Sequence, residues 1–371
     1  MAELLKDQYN QDFVQLLCQK IATLSPLANK QKDILTLFMQ DDWEQLELKQ
    51  RMNRAGFVCL SLIPQSDFAK ACTIIKQLSK EFDAFLGMFI PQMITDLFFS
   101  YDLIKQQSCL DIAFDALICV TQNSTSEFAI RAFIVQFPTQ TMSFLLSCCN
   151  HKSEHVRRLA SEGCRPRLPW AQALTELKHN PDPIWPILNR LCEDDSLYVR
   201  RSVANNLNDI SKDHPDLMLN WCESNNHKTQ DIDWIIKHAC RVLLKQANIR
   251  ALQLFDYSNP KHIAVIDFSI DQTTLSIGEK LTFNATIKSK KPLGKIRVEY
   301  CIDYLKANNK HNQKVFNWSE KTIECKTIQL KASQSFAQMS TRTHHAGTHF
   351  ISIRVNGVMH QRVEFELTDS F

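Results

Sequence analysis

The spacing of apolar residues changes once along this chain, and the change limits the folds open to it. Up to residue 258, apolar residues recur three and four positions apart, which is the spacing of one helix face. Beyond Asn259-Pro260 they alternate with polar residues, as in half-buried β-strands, in the segments 264–270, 281–287, 296–300 and 350–355. A chain of 371 residues is long enough for two cores, so we predict a helical domain at 1–258 and an all-β domain at 261–371.

The helical part is organised in pairs. An apolar helix is followed by a second helix that carries charge, and the second helices begin near residues 127, 154, 197 and 233. This irregular repeat predicts a HEAT-like solenoid whose second helices line the concave face. The short strands that follow predict a β-sandwich. Closer to the N-terminus, Asp41 and Asp42 are predicted N-caps of a helix through Trp43 and Leu48.

Glycine is scarce: the chain has seven, of which Gly56, Gly87 and Gly163 are the three within the first 270 residues. A P-loop and a dinucleotide fingerprint both need glycines where the backbone approaches phosphate. The helical part has no such loop, so a P-loop ATPase and a Rossmann oxidoreductase are excluded. We expect no nucleotide cofactor.

The thirteen cysteines contain no Cys-x-x-Cys pair, and most lie in apolar helical contexts. Free cysteine is often a small buried hydrophobe, so we expect neither a metal site nor disulfides. Unpaired thiols without a signal peptide indicate a reducing compartment, and we expect a cytoplasmic protein. No run approaches the roughly 18 apolar residues of a membrane span, so no membrane partner is expected.

The formal net charge of +3 is unevenly distributed. From Lys261 onward sixteen basic residues face ten acidic ones, whereas the preceding part has 27 basic and 30 acidic residues. A basic surplus in one region is typical of a protein that binds a polyanion. A merely solubilising surface explains the charge equally well at this point.

Residues 151–170 combine a helix, a charged stripe and a turn. Val156, Leu159, Ala160 and Gly163 share one helix face, which is an ordinary core face. A neighbouring stripe has Arg158, Glu162 and Arg165 at i, i+4 and i+7, so that one carboxylate lies between two guanidinium groups. Pro166 and Pro169 then end the helix and leave Arg165, Arg167 and Trp170 on a stiff turn beside the helix end. Such a cationic, aromatic surface around a carboxylate suits an enzyme that acts on damaged DNA.

The run HVRRLASEGCRPRLPWA at 155–171 resembles the signature of the AlkC-type DNA alkylation-repair glycosylases, which are built from HEAT-like repeats. Further matching segments are 46–52, 126–131, 198–209, 345–349 and 355–357, so the resemblance spans nearly the whole chain. It implies an immunoglobulin-like domain at the C-terminus. It also implies that the lesion is reached by bending DNA, without a deep base-specific pocket.

Three carboxylates are candidate catalytic residues: Glu162, Asp209 and Glu127. Each can equally be a routine helix-surface pair worth a few tenths of a kcal/mol, and the family resemblance favours the catalytic interpretation. Alkylation at a ring nitrogen makes a base cationic and a good leaving group. A carboxylate stabilises the oxocarbenium-like sugar that forms and can activate the attacking water.

We also predict a set of residues that bind DNA or the lesion. In the helical part they are Arg158, Arg165, Arg167, Trp170, Tyr198, Arg201 and Asn205. Trp170 would place its ring against the sugar or the cationic base. In the β domain they are Lys288, Lys290, Lys291 and Lys295, together with the turn at Arg342, His344, His345 and Gly347. Phosphate contacts from both domains would enclose the duplex, although the β domain can also be a simple cap on the repeat stack.

These observations predict a monofunctional DNA glycosylase that hydrolyses the N-glycosidic bond of cationic N3-alkylated bases, 3-methyladenine and 3-methylcytosine, in base excision repair. We expect a monomer that acts on double-stranded DNA without metal or other cofactor, and no lysine stands out for a lyase step. The alternative is a non-catalytic helical-repeat scaffold that binds DNA or protein. A helix-hairpin-helix glycosylase would need a glycine-rich hairpin, which the sequence lacks.

Overall fold

The structure is a computed structural model that describes residues 5–29, 33–39, 43–82, 84–339 and 342–369. Over these ranges, no helix is both long and apolar enough to cross a membrane. The chain divides into two compact units, one formed by Met1–His214 with His227–Ala239 and the other by Pro215–Asn226 with Cys240–Phe371. The predicted caps Asp41 and Asp42 lie outside the described residues.

The described residues contain seventeen α-helices, interrupted by short 3-10 turns such as Trp43–Gln45. In chain order they are α1 Gln11–Leu24, α2 Pro26–Asn29, α3 Ile34–Met39, α4 Leu48–Ser61, α5 Phe68–Leu78, α6 Ile90–Phe99, α7 Leu103–Thr121, α8 Ile130–Gln136, α9 Pro138–Cys148, α10 Glu154–Gly163, α11 Thr175–His179, α12 Trp185–Leu191, α13 Leu197–Ile210, α14 Pro215–Asn225, α15 Gln230–Ala239, α16 Arg241–Lys245 and α17 Ile249–Leu254. The helix predicted through Trp43 and Leu48 is therefore two elements, and α4 begins after the N-cap Glu47.

The first unit is a stack of helix pairs. Helix α10 packs against α13, and α13 packs against α15, so the second helices predicted near residues 154, 197 and 233 are consecutive neighbours. Their core faces follow the sequence pattern, with Val156, Leu159 and Ala160 of α10 buried. A Cβ at Gly163 would lie 2.7 Å from Cγ2 of Ile130 on α8, so glycine lets these helices approach closely. The HEAT-like fold predicted from the sequence is confirmed.

The second unit contains eight described strands in two sheets. They are β1 Ile263–Ile270, β2 Thr274–Ser276, β3 Lys280–Ser289, β4 Gly294–Leu305, β5 His311–Ile323, β6 Thr327–Ser335, β7 Gly347–Val355 and β8 Val358–Thr368. The sheet orders are β1-β3-β6 and β2-β8-β7-β4-β5. Neighbouring strands run antiparallel, except that β2 is parallel to β8. The predicted all-β C-terminal fold is confirmed.

The core of the β unit comes from strand residues that alternate in and out. Phe283 of β3 and Tyr300 of β4 contribute rings whose centroids are 4.8 Å apart, so side chains from the two sheets meet in one core. Helices α14, α16 and α17 belong to the same unit, and Arg250 on α17 binds Asp216 and Glu223 of α14. The compact unit thus includes helices that precede the strands in sequence.

Candidate active site

Glu162 lies at the C-terminal end of α10 and is almost completely buried. Its Oε1 accepts a hydrogen bond from Nη1 of Arg165 at 2.7 Å and lies 3.5 Å from Nη2 of Arg158. Its Oε2 accepts from the hydroxyl of Ser202 on α13 at 2.6 Å. The carboxylate therefore lies between two guanidinium groups, as the spacing of the three residues indicates.

Glu127 lies shortly before α8 and joins the same network through Arg158. Nη1 of Arg158 donates to Oε2 of Glu127 at 2.6 Å and to the hydroxyl of Thr125 at 3.2 Å. The guanidinium group also lies 4.8 Å from the centre of the Tyr198 ring. One arginine thus bridges Glu127 and Glu162, which come from different repeats.

Asp209 lies in the last turn of α13, with only 1% of its surface exposed. Its Oδ2 accepts from Nε of Arg165 at 2.9 Å, and its Oδ1 accepts from Nζ of Lys212 at 3.0 Å. The C-terminal end of a helix carries partial negative charge, so a carboxylate there is unfavourable without nearby cations. Arg165 and Lys212 supply that compensation.

The result is a row of alternating charges that we call the carboxylate network: Glu127, Arg158, Glu162, Arg165, Asp209 and Lys212. Because the three carboxylates are buried, they are not the routine surface pairs that the sequence left possible. Burying charge costs free energy unless each group is paired and hydrogen-bonded, as these groups are.

Burial and pairing act in opposite directions on the titration of these groups. Burial raises the pKa of Glu127 above its usual value, and the neighbouring Arg158 only partly offsets the effect. For Arg158 and Arg165, burial acts to lower the pKa, but the carboxylates beside these two arginines dominate and raise it. Both guanidinium groups therefore stay charged, while Glu127 accepts a proton more readily than an exposed glutamate does.

The turn after α10 is held in place by Arg131 of α8. Its Nη1 donates to the carbonyls of Gly163 at 3.1 Å and of Arg165 at 2.8 Å, and its Nε and Nη2 donate to the carbonyl of Gln172. Burial lowers the pKa of Arg131 to about 10, which leaves it protonated at neutral pH. Arg131 does not pair with Glu127, four residues before it, despite the helical spacing.

Trp170 occupies an unusual position on this turn. Its φ of 67° lies in the left-handed region, which costs a non-glycine residue roughly 1 kcal/mol or more. Nζ of Lys49 on α4 donates to its carbonyl, and the indole is 63% exposed. A large apolar ring is thus held in solvent by a strained backbone, which is typical of a functional position.

A cavity of about 570 Å³ opens beside Trp170. Its walls come from α4, α6, α8 and the turn 170–174, with Phe85, Phe89, Phe99 and Phe128 as aromatic lining. The family resemblance implies no deep pocket, and the sequence pattern assigns the aromatic residues of the N-terminal helices to the core. The cavity is therefore a feature that only the folded chain displays.

The other predicted DNA contacts of the helical part differ in accessibility. Arg165 is buried within the carboxylate network, so its geometry favours positioning the carboxylates over binding phosphate. Arg167 is partly exposed and pairs with Asp213 through two bonds of 2.9 and 2.6 Å. Arg201 is exposed and has no ion-pair partner among the described residues. Asn205 faces His238 of α15, with its Oδ1 3.2 Å from Nε2.

The predicted contacts of the β unit lie at two separate places. Lys288, Lys290 and Lys291 are exposed where β3 leads into β4, and Lys295 near the start of β4 lies over the Tyr257 ring. The turn with His344, His345 and Gly347 adjoins the far end of β4, where Arg342 donates to the Tyr304 hydroxyl at 3.1 Å. Lys295 and Tyr304 are nine residues apart on one strand, roughly 30 Å. The two groups therefore do not form one patch.

Sequence reasoning missed four residues of the site: Lys212, Ser202, Arg131 and Lys49. The sequence could have predicted Lys212, because a lysine three residues after Asp209 at a helix end is placed to pair with that carboxylate. The other three act through contacts between residues 32 or more positions apart, for which a single sequence has no signal.

Fold and site define a helical-repeat protein with a buried carboxylate network and an immunoglobulin-like C-terminal domain. Residues 264–369 match the family model described as the C-terminal Ig-like domain of the uncharacterised protein YhaZ. YhaZ of Bacillus subtilis is 38% identical over 364 residues, which cover 98% of this chain and 99% of that protein. The alkylpurine DNA glycosylase AlkC of Pseudomonas fluorescens, solved with DNA containing an abasic site analog, is 31% identical, with a TM-score of 0.89 over 99% of this chain and 100% of AlkC.

The chain therefore belongs to the AlkC family, as the resemblance in the sequence predicted. The match extends through both the helical repeats and the β-sandwich.

Proposed function

We propose that this protein is a monofunctional DNA glycosylase that releases alkylated bases from double-stranded DNA. The proposed substrates are bases made cationic by alkylation at N3, namely 3-methyladenine and 3-methylcytosine. The proposal is supported by the full-length similarity to an alkylpurine DNA glycosylase that binds DNA. The observation that carries it is the buried carboxylate network, which unites Glu127, Glu162 and Asp209 from three separate repeats.

The chemistry needs little from the protein beyond well-placed negative charge. A cationic alkylated base leaves with the bonding electron pair and becomes neutral, so no acid has to protonate it. The sugar then carries the developing positive charge, which a preorganised carboxylate stabilises. Arg158 and Arg165 hold Glu162 in one orientation, so no reorganisation is needed during the reaction.

The attacking water must lose a proton as it adds to C1′ of the sugar. Glu127 is suited to accept it, because burial raises its pKa and makes it a stronger base than an exposed glutamate. Asp209 is bonded to both Arg165 and Lys212, which favours an electrostatic role. No step uses a lysine nucleophile, so we expect an abasic site as the DNA product and no strand cleavage.

The residues proposed to bind DNA are mainly exposed cationic side chains, together with the indole of Trp170. Arg201 is an exposed cation that adjoins Ser202, the residue whose hydroxyl donates to Glu162 of the network. In the β unit, Lys288 at the end of β3 and Lys290 and Lys291 in the turn to β4, together called the lysine turn, offer a phosphate-binding surface. These contacts carry no base readout, which agrees with a choice of lesion by charge and lability.

The test is to incubate the full-length protein with methylated duplex DNA and to separate the released bases by chromatography. Release of 3-methyladenine and 3-methylcytosine, at least about tenfold slower with Glu162→Gln, is the expected result. Binding of the same DNA without release of any base would instead identify a non-catalytic scaffold. Release of 3-methyladenine alone would narrow the proposed substrates to purines.

A further inference from the structure

The turn after α10, residues 164–172, depends on other segments for its shape. Its two prolines have no N–H to donate. The backbone bonds that close the turn run from Ala171 to the carbonyl of Leu168 at 3.3 Å and from Leu174 to the carbonyl of Pro166 at 3.1 Å. Neither bond involves the backbone of Trp170, so the conformation of that residue must be held by other contacts.

Trp170 is the strained residue of this turn. Its φ of 67° lies in the left-handed region, which a residue with a side chain adopts only where the surrounding structure holds it there. The indole is 63% exposed, so the ring has little packing of its own to stabilise this conformation. The stabilising contacts must therefore reach the main chain of the turn.

Two side chains from other helices make those contacts. Arg131 of α8 donates to the carbonyl of Arg165 before Trp170 and to the carbonyl of Gln172 after it. Lys49 of α4, 121 positions away in the sequence, donates from Nζ to the carbonyl of Trp170 itself. Arg131 thus fixes the two flanks of the turn, and Lys49 fixes the residue between them.

Close packing does not replace the bond from Lys49. The cavity of about 570 Å³ is lined by Trp170 and residues 171–174 of the turn, and also by Lys49, Met52 and Gly56 of α4. Where an open volume lies between two segments, their side chains do not hold them together by close packing. Without the bond from Lys49, the turn is free to leave the left-handed conformation, and the indole can move toward the aromatic lining of the cavity.

We propose that Lys49 is a positioning residue that keeps the indole of Trp170 directed outward for contact with DNA. The inference rests on the proposed function, in which Trp170 contacts the damaged DNA. Lys49 has no place in the carboxylate network and acts only through the main chain of Trp170. Helix α4 thereby contributes to the rate of base release, although none of its residues belongs to the network.

A double-mutant cycle tests this role against the alternative that the exposed Lys49 simply binds a DNA phosphate. Single-turnover release of 3-methyladenine at saturating protein would compare the wild type with Lys49→Met, Trp170→Ala and the double variant. Lys70→Met is the matched control, because Lys70 is an exposed lysine of α5 outside the cavity. DNA binding measured at several salt concentrations detects the loss of a phosphate contact.

We expect Lys49→Met to slow base release by at least about tenfold, because even a small misplacement of a group in the site is costly. The slope of log K against log salt should not change. In the Trp170→Ala background, Lys49→Met should have no further effect, and Lys70→Met should keep the wild-type rate. Independent effects of the two substitutions, a wild-type rate with Lys49→Met, or a reduced salt slope would overturn the inference.

A second measurement needs no catalysis. The chain has six tryptophans, so the fluorescence of Trp170 is obtained as the difference between each protein and its Trp170→Phe counterpart. Quenching of this fluorescence by acrylamide should decrease in Lys49→Met, because the released indole moves toward the cavity. Absence of base release by the wild type would refute the proposed function alone, whereas unchanged quenching of Trp170 would overturn the positioning role of Lys49.

Discussion

The guanidinium group of Arg165 joins Glu162 to Asp209. Its Nε donates to Oδ2 of Asp209 over 2.9 Å, although Arg165 and Asp209 are 44 positions apart in the sequence. The same side chain donates to Glu162 over 2.7 Å. A single arginine thus fixes the spacing of two buried carboxylates that come from consecutive repeats. Most of the expected behaviour of the site depends on this arrangement.

Replacing Glu162 tests the catalytic assignment. Glu162→Gln keeps the shape of the side chain but removes the charge that stabilises the sugar cation, so base release should fall by at least about tenfold, roughly 1.4 kcal/mol of barrier. Single-turnover release of 3-methyladenine measures it, with a gel-shift assay to show that DNA binding persists. Glu176→Gln, an exposed residue of α11, is the control and should keep the full rate. Unchanged release by Glu162→Gln would refute the assignment.

Removing the bridging guanidinium group tests the electrostatics of the network. Arg165→Met leaves two buried carboxylates without their shared partner, so the free energy of unfolding should drop by about 3–5 kcal/mol. Arg167→Met breaks the more exposed pair with Asp213 and should cost no more than about 1 kcal/mol. Urea denaturation of both variants compares them directly. Equal decreases in the free energy of unfolding would mean that the buried network stabilises the fold no more than the exposed pair does.

The pH dependence of base release tests the role of Glu127. Burial raises its pKa, so the basic, deprotonated form is lost at a higher pH than for an exposed glutamate. If Glu127 accepts the water proton, kcat/KM should decline as the pH falls, with the decline beginning above the usual glutamate range. The charge of an N3-methylated base does not titrate there, so the profile reports on the protein. Glu127→Gln should lower the rate and abolish that acid-side decline; a variant with the wild-type profile argues for a different base.

The choice of lesion should depend on the positive charge of the alkylated base and on the lability of its N-glycosidic bond. A carboxylate network stabilises departure of a cationic base but gives no acid for a neutral one, so N3-methylated bases should be released and uracil should not. Duplexes that differ only in the lesion, with released bases quantified by chromatography, provide the comparison. Efficient release of uracil would mean that the protein protonates or specifically recognises a neutral base, contrary to the mechanism proposed above.

Replacing the lysines of the lysine turn, between β3 and β4, tests whether the β unit binds DNA. Replacing Lys288, Lys290 and Lys291 together by Gln should weaken DNA binding and reduce the slope of log K against log salt by up to about 0.9 for each phosphate that these lysines neutralise. Lys306, Lys310 and Lys314, equally exposed in the turn between β4 and β5 and at the start of β5, form the matched control. If both triple variants reduce the slope by the same amount, the effect is general charge and the turn has no specific role.

Local pattern determined much of this protein. The spacing of apolar residues predicted helices up to residue 258 and strands beyond it, because each periodicity places one face against a core. The Arg158-Glu162-Arg165 spacing likewise predicted a carboxylate between two guanidinium groups, because residues three and four apart on a helix are neighbours. Both interactions are local, so the amino-acid order is sufficient to specify them.

The tertiary structure decided which groups from different segments meet. Glu127 and Arg131 are only four positions apart in the sequence, yet Glu127 binds Arg158, and Arg131 binds backbone carbonyls of a distant turn. The cavity beside Trp170 and the separation of Arg342 from the lysine turn also depend on how segments pack. Close packing sets these distances, since contacts such as that between Gly163 and Ile130 join residues far apart in sequence. The periodicity of a single sequence specifies faces, and only the folded chain specifies which faces oppose one another.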